Sequence, residues 1–154
     1  MGVPYIRGDE VLNNATIAVD FDGVIHSYTS GWKGYEVIPD IPVPGAIVWL
    51  VSLMQSFSRV VIVSSRAATV EGVQAIREWL NFYASAEQQA ALENLEITHG
   101  KVPAKVYIDD RAFRFEGIFP TIQELAEFEP WKPPSLRQVP IETAEDAMLQ
   151  RGEP

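Results

Sequence analysis

Aspartates stand at the ends of two runs that read as strands. Asp20 and Asp22 close Thr16-Ile17-Ala18-Val19-Asp20-Phe21-Asp22-Gly23, and Asp109 and Asp110 close Lys105-Val106-Tyr107-Ile108-Asp109-Asp110. Residues two apart on extended backbone point to the same side, so the carboxylates of Asp20 and Asp22 are expected to share one site. Adding Asp109 and Asp110 from a second strand makes that site strongly repulsive unless a divalent cation sits among the oxygens. Hard oxygen donors favour magnesium. Taken alone, Asp-x-Asp-Gly is also an ordinary polar turn after a strand, so its meaning depends on the other strand ends.

Those ends are polar too. Arg59-Val60-Val61-Ile62-Val63 is a β-branched run leading into two hydroxyls, Ser64 and Ser65, and short apolar runs of this kind are buried strands. A weaker strand is expected at Leu95–Thr98. Between the runs lie helical patterns. Pro44-Gly45 opens one with Ile47, Leu50, Val51, Met54 and Phe57 on a single stripe. Thr69 can cap another that carries Val70, Val73, Ile76, Leu80 and Tyr83, and Ser85 to Gln88 has capping-box spacing for a third. A last short helix is expected over 121–128, and Trp49 and Trp79 are expected in or near the core. Residues 24–44, broken by Gly31, Gly34, Pro39, Pro42 and Pro44, read as an excursion or hairpin that carries Tyr28, Trp32 and Tyr35. Strands alternating with helices predict a single α/β, Rossmann-like three-layer domain with a parallel sheet and helices on both faces. In such folds ligands bind beyond the strands' carboxyl ends, where all of these aspartates and Ser64 fall.

The chain has 154 residues, a net charge of −9 and no cysteine. That length suits one domain, and without thiols there is no disulfide framework, Cys-ligated zinc or Cys nucleophile. The acidic balance disfavours long nucleic acid and anionic membranes as partners. Met1–Glu10 lacks the pattern of a secretory signal, and no apolar stretch is long enough to span a membrane, so a cytoplasmic protein is expected. Residues 1–128 are expected to form the domain. Residues 129–154, with Pro130, Pro133, Pro134, Pro140 and Pro154, read as an acidic, irregular tail with a helical turn near 142–150.

Taken together, the motifs resemble those of the haloacid dehalogenase-like superfamily of phosphohydrolases. Its first motif is matched by Val19-Asp20-Phe21-Asp22-Gly23-Val24, its second by Val61-Ile62-Val63-Ser64, and its acidic fourth by Ile108-Asp109-Asp110. The likeness spans about residues 15–119. It implies a minimal-cap phosphatase in which Asp20 is the nucleophile that forms an aspartyl-phosphate and Asp22 is the general acid and base. Asp at the position of Asp22 is the phosphatase pattern in that family. The resemblance further implies Mg2+ held by Asp20, the Asp22 backbone carbonyl and an acid from Asp109-Asp110. Ser64 and a lysine would hold the phosphoryl group, with Gly23, Ser65 and Arg66 as further substrate contacts. Lys101 and Lys105 both precede the fourth motif. Lys101, in the loop after Thr98-His99-Gly100, is preferred, although the Lys-Pro pair common in the family is replaced here by Lys101-Val102-Pro103, which leaves Lys105 open. Arg66 and Arg111 could equally pair with acids, and His26 and His99 are given no catalytic role. The implied substrate is a small phosphomonoester such as a nucleotide. Phosphoryl transfer to an acceptor other than water, and a receiver-like module that binds phosphate without turnover, are the competing readings.

Overall fold

The computed structural model describes residues 14–133, so the expectations for Met1–Glu10 and for a turn near 142–150 lie outside the described residues. Within them the β-branched runs become four strands: β1 (Thr16–Val19), β2 (Arg59–Val63), β3 (Glu96–Thr98) and β4 (Val106–Ile108). They form one sheet in the order β3-β2-β1-β4, with every neighbouring pair parallel. The chain therefore walks outward from β1 to β3 and then returns to the far side of β1 for β4. That reversal puts a topological switch point between the carboxyl ends of β1 and β4, the crevice where open α/β sheets bind ligands.

Register explains the core. Ile17 pairs with Val60 and Val19 with Ile62, so these four share one face, and all are buried together with Phe21, Ile25, Leu50, Ile76, Leu80 and Leu95. Ala18 and Val61 on the opposite face are also fully buried. Burial on both faces is why these strands are uniformly apolar rather than alternating. Helix α1 (Ala46–Ser56) follows Gly45, whose φ of 84° is a left-handed conformation natural to glycine. Helix α2 (Val70–Tyr83) starts where the Thr69 side chain accepts from the Gly72 N–H. At Gly72 a Cβ would lie 1.9 Å from the Arg66 carbonyl oxygen, so only glycine lets α2 press directly on the 3-10 turn Ser65–Ala68. Helices α3 (Ala86–Ala91) and α4 (Ile122–Ala126) each open on a full capping box, Ser85 with Gln88 and Thr121 with Glu124. No helix among the described residues is long and apolar enough to cross a membrane.

As expected, Asp20, Ser64 and Asp109 are the first residues beyond the carboxyl ends of β1, β2 and β4. Two expectations need correction. Val70 is 79% exposed: it is the first residue of α2, ahead of the turn that reaches the sheet. Trp49 is exposed whereas Trp79 is buried, because Trp49 lies two residues past Ile47, about 200° around the helix from it.

Candidate active site

The sheet's hydrogen bonding continues just past its strands. Asp20 N–H donates to the Ile108 carbonyl at 2.8 Å, and Ser64 N–H to Thr98 at 2.9 Å. Val19 is level with both Ile62 and Ile108, so Asp20 and Asp109 emerge side by side at the switch point. Carboxylate oxygens of Asp20, Asp109 and Asp110 all lie within 4.8 Å of one another. Burial first, then the charge of Asp109 and a hydrogen bond with Asp110, push the Asp20 carboxyl up to about 8. Asp110 Oδ1 is buried with no hydrogen-bond partner among the described residues. An orphaned buried oxygen inside an all-oxygen donor set fits a hard divalent cation, and this cluster could hold a metal ion. Gly23 makes the approach possible. Its φ is +88°, and a Cβ there would sit 2.3 Å from Asp110 Oδ2.

Asp22 turns elsewhere, which corrects the expectation that period two sends both carboxylates to one cluster. The strand ends at Val19, and the backbone beyond it folds into a tight turn in which Gly23 N–H donates to the His26 carbonyl. The Asp22 carboxylate instead accepts from Arg66 Nε, at 3.0 and 2.8 Å to its two oxygens, and lies 2.8 Å from His26 Nδ1. The Asp40 backbone N–H donates to His26 Nε2 at 3.2 Å. That nitrogen must therefore be the acceptor, which assigns the proton to Nδ1 and directs it at Asp22. His26 is held in a box of rings: it stacks on Phe21 with centroids 5.7 Å apart and meets Trp79 edge-on at 5.6 Å. Trp79 Nε1 in turn donates to the Asp40 carbonyl. A chain from α2 through Asp40 and His26 thus fixes the orientation of Asp22.

Arg66, read from the sequence as a substrate contact, is fully buried. Besides Asp22, it donates through Nη1 to the carbonyls of Gly34, Tyr35 and Val37, and its Cζ lies 4.8 Å from the Trp32 ring centroid. A buried guanidinium needs that many partners, so Arg66 clasps the 24–44 excursion to the end of β2. Trp32 and Tyr35 meet edge-on, at 5.1 Å between centroids. Ser64 is buried and accepts from Arg66 N–H at 3.2 Å, capping the 3-10 turn, while Ser65 is exposed.

The two lysines are separated by topology. Lys105 N–H donates to the Thr16 carbonyl, so Lys105 sits at the amino edge of the sheet, opposite the aspartates. Lys101 follows the carboxyl end of β3 in sequence, and its Nζ lies 5.7 Å from the Tyr107 ring centroid.

Beside the acids opens a cleft of about 490 Å³ that shares Gly23 and Asp110 with them. One wall runs from Ser27 to Gly31 and another is Pro130–Pro133. Two parts of this arrangement escaped the sequence reading. His26 carried a local signal, its four-residue spacing from Asp22. Residues 130–133 carried none, because their prolines read as the start of a tail. No family model, curated protein or solved structure matches the chain.

Proposed function

We propose that the chain is a magnesium-dependent phosphomonoesterase of the haloacid dehalogenase-like kind, which carries the phosphoryl group transiently on Asp20. The single observation behind this reading is the meeting of Asp20, Asp109 and Asp110 within 4.8 Å at the sheet's switch point. The first of these stands in the Asp-x-Asp-Gly sequence whose motif set resembles that family.

In this reading the residues divide the work. Asp20, the Asp22 carbonyl and Asp109 or Asp110 would hold the Mg2+, which when bound would supply positive charge against which an anionic substrate and an anionic attacker can meet. An Asp20 oxygen attacks phosphorus in line. The new O–P bond forms as the ester P–O bond breaks, and the departing oxygen takes the bonding pair and a proton from Asp22. Water then attacks the same phosphorus and gives its proton to Asp22, which returns Asp20 as a carboxylate and frees phosphate. Arg66 and His26 hold the Asp22 carboxylate away from the acid cluster at rest, so each proton transfer requires Asp22 to turn from them toward the reacting oxygen. The Ser64 hydroxyl and the Lys101 ammonium supply donors to the phosphoryl oxygens. Asp20 and Ser64, directly beyond the ends of β1 and β2, have the rigidity such positioning needs.

The test is phosphate release from 4-nitrophenyl phosphate. Turnover is expected with Mg2+, with loss of at least a hundredfold in EDTA and recovery on adding Mg2+ back. Release at the same rate in EDTA would remove the cation from the reaction.

A further inference from the structure

We propose that the cleft beside the acids seats the leaving group, and that the group it fits is a planar aromatic ring bearing a second anion, as in a small nucleotide with a phosphate beyond the scissile one. The inference rests on the phosphatase reading. It takes the cleft's location first: the cleft is lined by Asp110 of the acid cluster and by Gly23, which abuts it, so an ester held at Asp20 can lay its alcohol portion in this opening. About 490 Å³ lies within the range of small-ligand sites.

The lining specifies the chemistry. Tyr28 and Trp131 are its aromatic residues, and half-exposed Trp131 offers a ring for stacking. Arg111 and Lys132 also line it, and neither makes an ion pair among the described residues. Two uncommitted cations outnumber the one lining acid, Asp110, which the metal cluster claims. Tyr28 holds a left-handed φ of 58°, rare for a bulky residue and typical of sites where local strain serves binding. The net charge of −9 favours a small nucleotide over a long polyanion.

The experiment compares kcat/KM in Mg2+ for adenosine 3′,5′-bisphosphate and for 1,3-propanediol bisphosphate, which has the charge without the ring. The parent protein is expected to favour the nucleotide at least tenfold. Trp131→Ala should cut that ratio about tenfold, Trp131→Phe should restore most of it, and Arg111→Ala with Lys132→Ala should lower the preference for the bisphosphate over adenosine 5′-monophosphate about fivefold. An unchanged ratio in Trp131→Ala, or a preference for a phosphorylated oligonucleotide over the free bisphosphate, overturns the proposal. Calorimetric titration of adenosine 3′,5′-bisphosphate into the Asp20→Asn protein separates the two readings. If no substrate is turned over, the phosphatase reading falls. Binding weakened tenfold by Trp131→Ala still sustains the cleft, and binding indifferent to Trp131 refutes it.

Discussion

Asp20→Asn protein is expected to release phosphate from 4-nitrophenyl phosphate at least a thousandfold more slowly than the parent chain and, in metal-free buffer at pH 8, to be the more heat-stable of the two. The first effect follows from chemistry. An amide oxygen has neither the charge nor the nucleophilicity to form the bond to phosphorus, and the donors that remain cannot replace it. The second follows from the cost of burying the Asp20 carboxylate, and then of placing it beside Asp109 and Asp110. In the folded protein Asp20 binds its proton up to about pH 8, against 3.8 for an unperturbed aspartate. The folded state therefore holds more protons than the unfolded one between those values, and its stability falls as pH rises from about 4 to about 8. Asparagine stays neutral and escapes that loss. The expected gain at pH 8 is a few kcal/mol, read as a rise of several degrees in Tm. The gap should close near pH 4. A gap of equal size at pH 4 and pH 8, followed by thermal unfolding in EDTA, would show that ionisation of the buried Asp20 carboxyl is not its origin.

Arg66→Ala should be the most damaging single change to the fold around the site. It removes a fully buried guanidinium and strands the Asp22 carboxylate together with three backbone carbonyls. Breaking a buried pair on one side costs about 3–5 kcal/mol because the remaining charge has no partner. Urea unfolding should show that loss, and phosphate release should fall by at least a hundredfold because the 24–44 excursion and the turn that carries Asp22 lose their clasp. Arg66→Lys should recover only part of either, since one ammonium cannot reach the carboxylate and the carbonyls of Gly34 and Val37 together. A Lys variant equal to the parent in both measurements would reduce Arg66 to a simple counter-charge.

Much of the architecture could be read from residue order. Apolar runs ending in acids and hydroxyls gave the strands, and Thr69 and Ser85 marked helix starts that the structure bears out in detail. These features were legible because they are local: burial on both faces makes a strand uniformly apolar, and a cap must sit within three residues of the N–H it satisfies. Trp49 misled because its size and apolarity do not say which side of a helix it takes. The partners of Asp22 were hidden for a different reason. Arg66 lies 44 residues away and Asp40 is tied in through His26, so only the folded excursion shows that an arginine following a strand is a clasp. Likewise the wall made by Pro130–Pro133 comes from a proline-rich stretch whose composition gives no sign of what it returns to.

The central claim is that Asp20, Asp109 and Asp110 together hold one divalent cation. Calorimetric titration of Mg2+ into the metal-free protein at pH 7, repeated in two buffers of different ionisation enthalpy, measures it directly. Binding of one ion per chain is predicted, accompanied by proton release because Asp20 holds its proton to about pH 8 without metal, and it should weaken at least tenfold in both Asp20→Asn and Asp110→Asn. Magnesium binding that is indifferent to those substitutions, or no binding at millimolar Mg2+, would contradict the account.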